Sequence, residues 1–237
     1  MKAPLLKRAY VGGVRQARRV AERVGLLRRL EASSSARVRW VRSLFGIYDS
    51  LDLIQLDWPW WTFPAIERAE QFLAEREGKA RVFEFGAGAS TVWLSKRAAE
   101  VVSVEHDAGF AASIRGTLAA LPNVSFLVVE PQAPTGKAGE CRSNRAGYTE
   151  LAFDDYVATL TAQPGLFDLI VIDGRSRSAC LSAALPKLAP GGVILFDNSD
   201  RAEYRAAMER AGLPITRLRG MAPALPFPSE TALLTLP

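Results

Sequence analysis

Four short patches of the 237-residue chain hold residues able to do chemistry. The first is EFGAGAS, Glu84 to Ser90, in which Gly86 and Gly88 let the backbone turn sharply and come close to a ligand with no Cβ in the way. Glu105 follows, seventeen residues after Gly88; a carboxylate there can accept both ribose hydroxyls of a nucleotide-like ligand, with His106 beside it as an adenosine-side contact. Asp173 is the first candidate for a proton acceptor, and the neighbours Asp197 and Asn198 come second. A glycine pair alone also serves plain tight turns. The order glycine turn, then acid, is what points to a nucleoside ligand.

These residues need elements that bring them together. Short apolar runs begin near 81, 101, 124, 167 and 192, separated by helical patterns at 90–98, 108–120, 151–162, 178–188 and 201–211. Continuous apolar strands alternating with helices predict a parallel sheet buried on both faces. Two further strands, from 215 and from 231, close the chain, so the expected fold is α/β with a seven-stranded, mostly parallel sheet and helices on both faces. In such a sheet ligands lie at the carboxyl ends of the strands. Glu84, the glycine turn, Glu105, His106, Glu130, Asp173, Asp197 and Asn198 all fall there.

Upstream, Val14, Ala17, Val20, Ala21, Val24 and Leu27 recur at helical steps while arginines fill the other faces, predicting a basic amphipathic helix over 14–30. Ser33 to Ser35 read as a joint before a second helical stretch over 37–48. Trp58, Trp60, Trp61 and Phe63 are expected to pack as an apolar lid, and Pro64 to open a helix with Thr62 as its N-cap. The expected division is a basic helical arm over 1–43, a helical cap over 44–80, and a ligand-binding domain over 81–237.

Over 81–237 the chain resembles the class I S-adenosylmethionine-dependent methyltransferases, which have a Rossmann-like fold. Glu84, Gly86 and Gly88 match their acid-x-Gly-x-Gly turn, Ser90 standing where a third glycine is common, and Glu105 matches the acid that ends their second strand. Residues 188–197 are similar to their fifth strand and its preceding turn. The resemblance implies S-adenosylmethionine as cofactor, with Glu84, Gly86, Gly88, Ser90, Glu105, His106, Glu130 and Asp173 as its contacts, and Asp173 and Asn198 as catalytic residues. Asp173, Asp197 and Asn198 also resemble the magnesium ligands of the catechol-type enzymes, a donor set of oxygens that suits Mg2+. The lysine those enzymes carry three residues after the first Asp is Ser176 here. Over 58–237 the pattern is similar to a poorly characterised bacterial group of methyltransferases.

Composition fits a soluble globular protein, with 49% hydrophobic and 23% charged residues. The two cysteines offer neither a disulfide framework nor a zinc spacing. Residues 1–42 hold twelve Lys and Arg against two Glu, leaving the remainder net acidic. The expected location is cytoplasmic, the arm touching an anionic membrane surface on the inner face. The expected reaction is O-methylation of a small molecule or glycan; a homo-oligomer is left open. An aminopropyl transferase, a nucleic-acid methyltransferase and a non-catalytic cofactor-binding protein share the fold. The basic 175–177 segment argues against the first, and the acidic core against nucleic acid.

Overall fold

The computed structural model describes residues 2–33, 35–46 and 50–236. Its centre is one seven-stranded sheet in the order β3-β2-β1-β4-β5-β7-β6. The strands are β1 (Arg81–Phe85), β2 (Glu100–Glu105), β3 (Val124–Val128), β4 (Phe167–Ile172), β5 (Leu188–Asp197), β6 (Ile215–Gly220) and β7 (Ser229–Thr235). The first five run parallel, whereas β7 inserts antiparallel between β5 and β6.

Side-chain alternation along β1 explains why both faces need cover. Phe83 and Phe85 enter one apolar layer with Tyr156, Leu160, Leu181 and Met208, while Val82 enters the other with Trp61, Ile66, Trp93 and Leu94. The first layer is roofed by α8 (Asp154–Ala162), α9 (Arg177–Ala184) and α10 (Ala202–Arg210). The second is roofed by α5 (Phe63–Ala74) and α6 (Ala89–Ser95), beside which α7 (Ala108–Ala119) adds Ile114 and Leu118. Glu84, on the face of Val82, is the one acid of β1 forced into a layer that is otherwise apolar.

The amino-terminal segment forms α1 (Lys2–Arg23), α2 (Leu26–Glu31), α3 (Ala36–Ser43) and α4 (Ser50–Leu56). The predicted single helix over 14–30 is divided at Gly25, whose φ of 70° suits glycine. The end of the predicted 37–48 stretch, Ile47 and Tyr48, lies outside the described residues. The arm is docked on the body. Arg42 is 2% exposed and forks onto Asp52, Nη1 donating to Oδ2 at 2.7 Å and Nη2 to Oδ1 at 2.6 Å. Its Nε donates to Glu31 at 2.6 Å, and Arg18 donates to Asp52 at 2.9 Å. Trp40 Nε1 reaches the Leu225 carbonyl at 3.2 Å.

The aromatic cluster divides its labour. Trp61 is fully buried edge-on to Trp93, Trp58 lies edge-on to Phe63 beneath the Arg39 guanidinium, and Trp60 reaches the crevice described next. Thr62 is the N-cap residue of α5, but its hydroxyl donates to the Leu218 carbonyl of β6 instead of capping the helix. No helix among the described residues is long and apolar enough to cross a membrane.

Candidate active site

A crevice of about 450 Å3 opens at the carboxyl ends of β1, β2 and β4, a size ordinary for a small-molecule site. Gly86, Gly88, Ser90, Glu105, His106 and Asp173 all line it, together with Trp60, Asp107, Tyr148 and Arg175.

The two glycines of the turn do different work. Gly86 has φ 97°, and a Cβ there would meet the backbone of the β4 end, 2.9 Å from Gly174 N and 3.0 Å from Asp173 C. This position needs glycine for the fold. A Cβ on Gly88 would meet nothing within 4 Å, so its bareness serves the crevice.

Glu84 lies under the turn, fully buried, and does not line the crevice. Its Oε2 accepts from Thr91 Oγ1 at 2.5 Å and from Ser103 Oγ at 2.7 Å, while the same Thr91 oxygen accepts the Gly88 N–H at 2.9 Å. Glu84 thus props the glycine turn through Thr91. Burial pushes its carboxyl up to about 7; the charge of Glu105 adds to this, and the Ser90, Thr91 and Ser103 hydroxyls oppose it. Nothing in the sequence pattern singled out Thr91 or Ser103. The strand pairing does, since Glu84 and Ser103 are partners in register.

At the β2 end, Glu105 Oε1 accepts the backbone N–H groups of His106 and Asp107, both at 2.8 Å. Its second oxygen makes no hydrogen bond among the described residues. Two amides therefore fix one oxygen of a carboxylate that lines the crevice, the arrangement needed to present the other to hydroxyl donors. His106 is 7% exposed and sits among the rings of Tyr148, Phe153 and Tyr156. Asp107 caps α7 through Phe110 N at 2.8 Å. Arg175 lies over the Tyr148 ring, 5.0 Å from its centroid. Glu130 is exposed and lines a different hollow, with Gln132, Glu140 and Asp155.

Asp173 and Asp197 do come together, close enough for their carboxyls to share a hydrogen bond, and Arg177 pairs with both. Arg177 Nη2 donates to Asp173 Oδ1 at 2.8 Å, and Nη1 stands 3.6 Å from Asp197 Oδ2. Asp197 Oδ1 accepts from Thr231 Oγ1 at 2.8 Å. Burial and the neighbouring Asp197 push Asp173 up to about 8, against the pull of Arg177, and burial raises Asp197 too. Asn198, in left-handed backbone with φ 53°, turns away, and its Oδ1 accepts from Arg201 at 2.8 Å. Ser176 also faces away, donating to the Arg142 carbonyl at 3.0 Å. This set does not fit Mg2+. Asp173 Oδ1 is taken by the Arg177 guanidinium, Asp197 Oδ1 by the Thr231 hydroxyl and Asn198 Oδ1 by Arg201, the residue before α10.

The likenesses to known proteins agree with this geometry. Residues 83–199 match a family model described as a methyltransferase domain. No curated protein matches the chain significantly. Among solved structures, a Klebsiella pneumoniae protein assigned as an O-methyltransferase is 21% identical, with TM-score 0.54 over 82% of this chain and 90% of that one. The Bacillus cereus O-methyltransferase in complex with SAH is 18% identical, with TM-score 0.54 over 79% and 90%. The O-methyltransferase TomG of Streptomyces achromogenes, in complex with SAM, is 19% identical, with TM-score 0.50 over 72% and 80%. At such identities the structures establish the fold; the family match adds the kind of domain. Residues 83–199 therefore match a methyltransferase domain, and the sheet that carries them is Rossmann-like.

Proposed function

We propose that S-adenosylmethionine binds in this crevice and that its methyl group passes to an oxygen of a small-molecule acceptor, a phenol or a glycan hydroxyl being the classes to test. The observation that carries the reading is Glu105, one oxygen held by two backbone amides and the carboxylate lining the crevice beside the open Gly88. In this reading Glu105 takes the ribose hydroxyls, Gly86, Gly88 and Ser90 let the ligand approach the backbone, and His106 walls the adenosine side. S-adenosylmethionine, when bound, supplies an electrophilic methyl on a sulfonium. The chain's part is to align nucleophile, methyl and sulfur and to keep water out. Asp173, on the wall of the crevice, is placed to accept the acceptor's hydroxyl proton once ionised, and its rise to about 8 moves that ionisation to mildly alkaline pH.

The neighbours' O-methyltransferase names support oxygen as the nucleophile. A screen with labelled S-adenosylmethionine against phenolic, glycan and lipid-linked acceptors tests this: label in an ether product supports it, and label only on nitrogen acceptors rejects it.

The arm carries a separate proposal, peripheral contact with an anionic membrane. Val20, Val24 and Leu26 are exposed next to exposed Arg19 and Arg23, the pairing of apolar and basic groups that such surfaces attract. Sedimentation with phosphatidylserine vesicles should fall away in high salt and in a V20D/V24D variant. Equal sedimentation of variant and native protein rejects the proposal.

A further inference from the structure

We propose that the Arg177 guanidinium is a built-in cation, paired with both Asp173 and Asp197 in place of a divalent ion, so that the acceptor end of the crevice works on a fixed charge and without a metal. The proposal rests on reading the crevice as the active site. Arg177 is 5% exposed and does not line the crevice, yet every arm of its fork is used at the ends of β4 and β5. Nη2 donates to Asp173 Oδ1 at 2.8 Å and to the Asp173 carbonyl at 3.0 Å, Nε donates to the Gly174 carbonyl at 3.1 Å, and Nη1 donates to the Asp197 carbonyl.

Three consequences follow from that geometry. A guanidinium cannot lose its charge in a protein, so the cation is permanent. Its planar fork ties side chain and backbone of Asp173 at once, fixing the orientation of the carboxyl that reaches the crevice; Arg177 is thus a positioning residue. A divalent ion approaching the same pair would meet a buried like charge, with Asp197 already engaged by Thr231 and Asn198 by Arg201. The sequence encodes this by a shift of one place. Ser176 is turned out toward Arg142, and the next residue supplies the cation from the first turn of α9.

The test is a Mn2+ titration of the full chain, read by the loss of the free-ion electron paramagnetic resonance signal. It requires no acceptor and no turnover. Native protein is expected to bind no stoichiometric Mn2+. In Arg177→Met the Asp173 and Asp197 carboxyls lose their cation, and a Mn2+ site at least about tenfold tighter is expected, lost again in Arg177→Met/Asp197→Asn. One Mn2+ bound by native protein and released in Asp173→Asn overturns the proposal, as does a folded Arg177→Met that gains no site. If Arg177→Met does not fold, the native and Asp173→Asn titrations decide alone. S-adenosylmethionine affinity, measured separately by calorimetry, tells failure of the active-site reading from failure of this one.

Discussion

Replacing the two glycines of the turn should have opposite effects, and the structure sets the size of each. An alanine at Gly86 must adopt φ 97° and place its Cβ 2.9 Å from Gly174 N, against backbone that cannot swing aside. Left-handed backbone costs a residue with a side chain about 1–2 kcal/mol, and forced overpacking about 1–3 kcal/mol more, so Gly86→Ala should lose about 2–5 kcal/mol. For a chain of this size that lowers the melting temperature by roughly 5–20 °C. Gly88 has extended backbone, φ 166°, and open space where its Cβ would be. Gly88→Val should therefore melt within roughly 2 °C of native protein, while filling the crevice and weakening S-adenosylmethionine by more than about a hundredfold. Differential scanning calorimetry reads the first quantity and isothermal titration the second. Similar melting losses in both variants, or native affinity in Gly88→Val, would refute the assignment of one glycine to the fold and the other to the ligand.

Two further outcomes follow. A carboxyl raised from 4.5 to about 7 costs no stability below about pH 4.5, where native and unfolded chains are both protonated; the cost accumulates as pH rises between those values, as the unfolded chain ionises and the native one does not, about 3 kcal/mol in full. Glu84→Gln should flatten that part of the stability-versus-pH curve measured by urea unfolding between pH 5 and 8, and a variant as pH-dependent as native protein would show that Glu84 does not titrate there. Asp52→Ala leaves Arg42 buried without its forked partner, so a loss of about 3–5 kcal/mol is expected, with faster hydrogen exchange in α1 to α4; a loss under about 1 kcal/mol would mean the arm is held by other contacts.

The sheet was legible because its parallel strands are short, predominantly apolar runs. Those near 81, 101, 124 and 167 recur as β1 to β4, and the two strands after the last helix recur as β6 and β7. Strand β5 starts at Leu188, earlier than its apolar run, because pairing with β4 tolerates the Pro190–Gly192 irregularity. The site was legible where chemistry follows chain order: the turn, Glu105 and His106 lie on one crevice because parallel strands deliver their carboxyl ends to one edge. It was illegible where a partner comes from another element. Glu84 has the motif of a ligand contact but is drawn under the turn by Thr91 and Ser103, and Glu130 follows its strand yet faces another hollow. The approach of Asp173 and Asp197 was expected, but their shared pairing with Arg177 depends on a side chain folding back from α9. No spacing of acids announces that. The charge of the arm could be counted from the sequence but not its partner, since Arg18 and Arg42 are held by Asp52 of α4.

Isothermal titration of S-adenosylmethionine into native protein and Glu105→Ala tests the reading of the crevice as a cofactor site. One molecule is expected to bind per chain at micromolar affinity, with a loss of roughly ten- to a hundredfold in the variant, the worth of charge-assisted hydrogen bonds to the ribose. No binding by the native chain at millimolar cofactor, or equal affinity in folded Glu105→Ala, would contradict it.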